Sequence, residues 1–478
     1  MTSTFFGLQL GYSGLMANQT ALDVVSNNTT NVNTPGYTRQ VVNFTEGSPY
    51  TVPGTGSPTL GQLGTGVNIS SVSQVKDQYL NQQVWAAGSN LSSSNSLSSS
   101  LSQVESAFGE PSSTGIGAQM TNFFNSFSSL STNPQDSGLR TTVVDTAVSL
   151  TTEFHTVSSN LAALTPQITN QTNSAISQVN TLASQIADLN AQVKLAVTNG
   201  NSPNDLMDKR GQLITQLSSL VNVQPINATD PVTGKSTGAI NLNVGGFSLV
   251  QDGVATPLPS TVTSLDGQSG LMTSTGTFIP IQSGQLSGLL QAGTLVSGYQ
   301  SQLDTLAYNF ATSVNSIHQT GAALDGTTGH LFFTVPPPSP GTGAAAAINV
   351  DPGIISNPNN IAAATMPVPP ATPAPGNGDN ATAISQLAST TVINGQSLSD
   401  YYNGLIAKIG ADSQVSQQQV TTQTAVVTQL QNQQSSVSGV NMDEELTKML
   451  QYQRSYQAAA KLVSVADSFL DTIINTMQ

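Results

Sequence analysis

The 478-residue chain contains no cysteine. Disulfides and thiolate metal sites are thereby excluded. Charge is scarce as well. Asp, Glu, Lys and Arg make up 8% of residues, against roughly 25% in an ordinary soluble domain. Basic residues are rarest, 11 Lys plus Arg against 25 Asp plus Glu, giving a net charge of -14. No cluster of cations occurs, so the chain lacks the means to neutralise a run of phosphates, and nucleic acid is not an expected partner. No stretch of 18 apolar residues occurs, so no helix is expected to insert into a membrane. The first basic residue is Arg39, whereas a Sec-type signal has a charged start before its apolar core. If the protein leaves a cell, we expect a route without a cleaved signal peptide.

Reactive constellations are missing too. His155, His318 and His330 stand apart, with no second histidine or carboxylate at ligand spacing. Glu153 lies near His155, but that spacing puts the two on different helix faces. His318, near a helix end, reads as a packed or capping residue. Gly234-Lys235-Ser236 has the end of a phosphate loop without its start, because Asp230 stands where the first glycine is needed. A turn is expected there instead. Asp467 and Asp471 share a helix face and read as a solvated pair. No Gly-x-Ser-x-Gly elbow stands in a strand-turn-helix setting. We therefore expect no catalytic residue, no cofactor and no metal.

What the chain has is helical periodicity. Leu8, Tyr12, Leu15, Gln19, Leu22 and Ser26 alternate at spacings of four and three, one narrow stripe on a helix of about 20 residues. Asn27, Asn28 and Asn31 then lower helix propensity. Asn33 follows, Pro35 disfavours helical geometry before it, Gly36 permits a left-handed turn, and Tyr37 closes the loop. At the other end Tyr452, Tyr456, Ala459, Val463, Ala466, Leu470, Ile473 and Met477 step by four and three without a break. Asp443-Glu444-Glu445 opens that helix and complements its dipole.

Between these ends, Leu97, Leu101, Val104 and Phe108 mark a helix running through the serine-rich stretch 89–102. A seam from Leu161 to Ala196 predicts coiled-coil-like packing, ended by Asn199-Gly200-Asn201. Leu206 to Leu220 gives a shorter helix. Residues 221–283 change character: Ala239 to Val244 alternates, Gly245-Gly246 turns, and Phe247 to Val250 resumes, a hairpin in a small β domain. Helical spacing returns from Tyr299 to Ile317 and, in a polar heptad, from Ile406 to Val437. Residues 335–378 are rich in Pro, Gly and Ala and read as an exposed, partly extended insertion.

The expected fold is mainly α with inserted β, elongated and multidomain. Residues 1–50 with 440–478 form a terminal helical domain of paired, coiled-coil-like helices. Residues 51–220, 284–330 and 395–439 form a helical bundle. Residues 221–283 form the β domain, and 331–394 the insertion.

The order helix, spaced asparagines and Pro35-Gly36-Tyr37 resembles the amino-terminal signature of the flagellar axial proteins. Thr38-Arg39-Gln40, the Ser438 to Leu446 lead-in, Tyr452-Gln453, Tyr456-Gln457-Ala458 and Leu470-Asp471-Thr472 are most similar to the hook-filament junction branch, the FlgK family. So are the internal runs Pro203 to Leu213 and Gly284 to Leu290. The resemblance implies a structural subunit of the bacterial flagellum, outside the cell, joining hook to filament. It implies as partners copies of itself in a ring, the hook protein, the next junction protein and a cytoplasmic export chaperone at the carboxyl end. Type III export is implied with it. The terminal stripes and the Asn27 to Tyr37 loop are the expected assembly interface. Alternatives are a hook or distal rod protein, or a secreted coiled-coil adhesin.

Overall fold

A computed structural model describes residues 5–51, 62–334, 342–366 and 374–476. In chain order the helices are α1 (Phe6–Thr30), α2 (Gln78–Phe108), α3 (Ile116–Thr132), α4 (Ser137–Thr198), α5 (Asn204–Leu220), α6 (Gln285–His318), α7 (Ala344–Ala347), α8 (Pro352–Ser356), α9 (Asp379–Gln386), α10 (Leu398–Ser438) and α11 (Met442–Thr476). The main strands are β1 (Gln40–Glu46), β2 (Tyr50–Thr51), β3 (Gln62–Leu63), β4 (Val67–Gln74), β5 (Gln224–Thr229), β6 (Ser236–Val244), β7 (Phe247–Gln251), β8 (Val254–Ala255), β9 (Thr261–Leu265), β10 (Gln268–Met272) and β11 (Phe278–Pro280).

The expected class, mainly α with inserted β, is what the chain adopts. Helix α2 packs on α5, α6 and α10, while α4 packs on α3, α5 and α6. The serine-rich stretch is helical throughout, because Leu101 within it and Val104 and Phe108 just beyond keep one buried face. Small residues also let α2 and α6 approach closely. A Cβ on Gly288 would lie 2.2 Å from the Ser93 carbonyl, and the Ser89 and Ser283 hydroxyls meet at 2.8 Å. Gly284 has φ 88°, and a Cβ there would meet the Val221 amide at 2.5 Å. The Gly284 to Leu290 run is thus a close-packing device.

Helix α4 spans 62 residues and carries Pro166 inside it. Proline removes one backbone bond and crowds the preceding turn, yet the helix continues through it, with Leu164 and Ile168 buried on either side. Asn199 caps it and Gly200 turns at φ 78°, as the sequence indicates. A four-stranded sheet, ordered β5-β6-β7-β8, and a three-stranded one, ordered β11-β10-β9, follow α5. The β6–β7 hairpin turns on Gly245 and Gly246, at φ 54° and 85°, the left-handed pair that a two-residue turn needs. Asp230 and Lys235 close the β5–β6 turn: Asp230 Oδ1 accepts from the Val232 and Thr233 amides. Leu242, Val244, Leu249 and Val250 join the same core as α4, so the β unit lies along that helix.

The core is richest where Phe123, Phe124, Phe127, Phe154, Phe310, Phe332 and Phe333 meet, with neighbouring ring centroids from 4.8 to 6.4 Å apart. This region corrects the expected insertion. The proline runs at 335–341 and 367–373 lie outside the described residues, but 342–366 between them is folded. Ala345, Ile348, Val350, Ile354 and Ile361 are buried in the aromatic core. Arg140, buried, donates to the carbonyls of Pro134, Pro358 and Ile361. His318 Nε2 accepts from the Ala362 amide, its Nδ1 meets the His330 carbonyl at 2.8 Å, and His155 Nε2 meets the Ile348 carbonyl at 2.7 Å. Average composition hid a short apolar segment between two prolines, and tertiary partners satisfy its irregular backbone.

Candidate assembly site

The two chain ends pair with each other. Helices α1 and α11 lie side by side, and their seam is made of small residues. Gly11, Ala17, Ala21 and Val25 are the buried apolar positions of α1, and Ala459 of α11. A Cβ on Gly11 would stand 2.8 Å from Val463 Cγ2 and 3.4 Å from the Ala459 carbonyl. Gly14 faces Ala459 and Gly7 faces Ala466.

This shifts the phase read from the sequence. Leu8, Leu15 and Leu22 are half-buried flanks of the seam, and Tyr12 is exposed. Ala459, Val463 and Ala466 turn toward α1 of the same chain, while Tyr452 rests near Phe44 of β1, ring centroids 6.3 Å apart. Leu470 is half-buried, Tyr456 and Ile473 are exposed, and Met477 lies outside the described residues. Large apolar side chains dominate a hydropathy pattern, but two helix backbones approach most closely over Gly and Ala.

What remains outside is apolar. Phe5, Leu10, Tyr12 and Met16 on the amino end are exposed, as are Leu446, Leu450, Leu462, Val465, Phe469 and Ile474 on α11. Phe469 keeps 68% of its surface accessible. Leu462, Val465, Phe469 and Ile473 step by three and four, a second stripe beside the inner seam.

A polar knot fixes this hairpin to the body. The asparagines do not end α1, which runs through Asn27 and Asn28 to Thr30. Asn28 instead spends its amide on distant groups. Its Nδ2 donates to the Gln40 carbonyl and to Glu445 Oε2, both at 2.8 Å. Its Oδ1 accepts from the Gln40 amide at 2.9 Å and the Tyr37 hydroxyl at 2.8 Å. Asn31 caps the helix and ties back to Asn27, whereas Asn33 and Pro35 are exposed. Gly36, at φ 77°, turns the chain toward α5, where Gln212 Nε2 donates to the Pro35 carbonyl.

Glu445 is only 1% exposed, beside Lys448 at 3.3 Å and Arg39 at 4.0 Å. Glu444 takes Arg39 at 2.9 Å and Lys448 at 2.7 Å, which holds its carboxyl below the usual range. Asn441 Oδ1 caps α11 through the Asp443 and Glu444 amides. The acidic lead-in therefore does more than face a helix dipole. It clamps the amino-terminal strand, whose Arg39 amide also donates to the Ser438 carbonyl.

The internal Pro203 to Leu213 run completes the knot. Asp208 accepts from the Thr38 amide at 3.1 Å, the Thr38 hydroxyl at 2.6 Å and Gln74 Nε2 at 2.7 Å. Asn204 Nδ2 donates to Gln40 Oε1 and the Val72 carbonyl. Burial raises the Asp208 pKa against the pull of Thr38 and Lys76. Burial, with Asp205, Asp208 and Glu445 nearby, pushes Tyr37 up to about 12, so it stays a neutral donor. Arg210 anchors the far side, donating to Asn190 Oδ1 and the Gly238 carbonyl, with burial bringing it down to about 10. Gln40, Asn204 and Asp208 had no role of their own in the sequence, and Glu445 had only that of facing the helix dipole. The available signal was that three separate motifs were all polar and none contained a reactive pair. Among the described residues no group of three His, Asp or Glu side chains could hold a metal ion.

Comparison with known proteins agrees with this layout. Residues 101–333 match the flagellar hook-associated protein FlgK helical domain. Residues 8–38 match the flagella basal body rod protein family, and 431–476 the flagellar basal body rod FlgEFG protein C-terminal family. Flagellar hook-associated protein 1 of Bacillus subtilis is 31% identical, over 100% of this chain and 99% of its own length. That of Escherichia coli is 27% identical, over 97% of this chain and 98% of its own. The flagellar hook junction protein FlgK of Burkholderia pseudomallei has the same fold, with a TM-score of 0.62 at 20% identity, over 75% of this chain and 100% of that one. With a relative more than 30% identical along the whole length and the three motifs joined in one knot, the chain belongs to the flagellar hook-associated protein 1 (FlgK) family.

Proposed function

We propose that the protein is the structural joint between flagellar hook and filament, and that it works by packing. The α1–α11 hairpin meets neighbouring copies in the inner tube of the flagellum, and the helical body with its β unit forms the outer wall. The observation carrying this is the hairpin itself, which buries a small-residue seam but leaves Leu450, Leu462, Val465 and Phe469 in water. Exposed apolar surface of that kind marks an association site. The hook protein and the next junction protein take the two faces of the ring. Before assembly the same stripe on α11 is what an export chaperone covers, and the subunit travels through the flagellar export channel.

The test is a double change, Leu462→Asp with Phe469→Asp, in cells. Buried unpaired carboxylates cost several kcal/mol each in an interface, while the exposed positions leave monomer folding intact. We expect the same melting curve as wild type, no filaments, and filament subunits lost to the medium. Normal filaments on such cells would sink the interface.

A further inference from the structure

Beneath the knot lies a cleft of about 690 Å³ lined by no residue of α1 or α11. Its walls come from the Pro35 to Thr38 loop, the start of α2, α5 and the end of α10. At its floor stands Trp85, the sole tryptophan of the chain, with Nε1 donating to Thr215. Two groups on its wall lack partners. Lys76 makes no ion pair or hydrogen bond among the described residues. Its side chain is exposed overall, yet protein crowds the ammonium enough to lower its pKa, with Asp208 pulling the other way. Asn81 is 4% exposed, and its Nδ2 is buried with no acceptor, although its Oδ1 takes Gln434 Nε2. The nearest anion, Asp208, already has its oxygens filled by Thr38 and Gln74. Among the described residues the cleft therefore offers two spare donors and no unpaired carboxylate.

We propose that this cleft receives a carboxylate side chain from a second copy of the chain, held by Lys76 and Asn81. Charge argues for that occupant. Each copy carries 25 acidic residues against 11 basic ones, so copies packed side by side repel unless cations accept neighbouring carboxylates. The cleft also adjoins the hairpin that brings a second copy near. The proposal rests on the assembly reading above, and it adds the pairing that sets the rotational register between subunits.

Photoreactive benzoyl-phenylalanine at Gln216, an exposed cleft residue, tests it in assembled flagella. The expected product joins Gln216 to a peptide of a second copy that contains Asp or Glu. Capture of a different protein, or no intermolecular product, overturns the proposal. The same probe at Phe469 separates the two readings. A second copy captured at Phe469 but not at Gln216 leaves the joint standing and removes the cleft, whereas failure at both removes the joint as well. Lys76→Glu is expected to abolish filaments and Lys76→Arg to keep them; Lys76→Met, which puts no second carboxylate beside Asp208, is expected to lose filaments with an unchanged melting curve. Filaments on the Lys76→Glu cells would also overturn the assignment.

Discussion

The terminal hairpin and the helical body solve the same packing problem in opposite ways. The body closes on itself: its helices turn large side chains inward, and Phe123, Phe127, Phe310, Phe332 and Phe333 are fully buried in one cluster. The hairpin brings two backbones together over Gly11, Gly14 and Ala459 and leaves Tyr12, Leu450, Leu462 and Phe469 outside. A body can fold alone because its aromatic surface leaves water within one chain. A two-helix hairpin has too little inner surface for that, so its outward stripe calls for neighbours.

The largest effect that would break this contrast is in the body. Phe310→Ala is expected to destabilise the monomer by about 3 to 5 kcal/mol, as aromatic truncation in a packed core does, measured by chemical denaturation. A loss under 1 kcal/mol would mean the cluster is less tightly packed than its ring contacts.

Next comes pH. His318 is buried, and burial brings its pKa down from 6.5 to about 4. The folded state keeps it neutral while the unfolded chain protonates, so the unfolded state binds more protons in that window. Stability is full above pH 6.5 and falls as pH drops toward 4, by roughly 3 kcal/mol in total for this one group. The variant His318→Asn should unfold with a flatter pH dependence between those values. An unchanged slope would remove His318 as its source.

The knot is expected to matter less for the body than for the hairpin. Asn28→Ala leaves the Tyr37 hydroxyl, the Gln40 backbone and Glu445 short of partners, at about 1 to 3 kcal/mol for each group that water cannot reach. Limited proteolysis should then release α1 and α11 while the bundle stays intact. Simultaneous loss of both would show that hairpin and body unfold as one unit.

The smallest effect on stability sharpens the comparison most. Phe469→Ala is expected to change monomer stability by no more than about 0.5 kcal/mol, as exposed substitutions do, yet to reduce filament assembly. A large loss of monomer stability would place Phe469 in an intrachain core.

Much of the fold was legible in the sequence because period and punctuation are local. The α4 seam, the Gly245-Gly246 hairpin and the turn at Lys235 all follow from neighbours a few residues apart. Residues 342–366 were not legible, since Ile348, Ile354 and Ile361 gain their partners from α4 and α6, far along the chain. The hairpin was half legible: that both ends are amphipathic helices was plain, but not which face each turns to the other.

By itself the sequence determined the family signature, the helical ends, the exclusion of thiolate chemistry and the shortage of cations, because each depends on residue type and spacing alone. Tertiary structure decided that Asn28 works from inside its helix, that Glu445 is a buried clamp as well as a dipole partner, and that Asp208 holds Thr38 across 170 positions of sequence. A hydrogen bond depends on atoms within about 3 Å, and no local pattern encodes which distant groups folding brings that close.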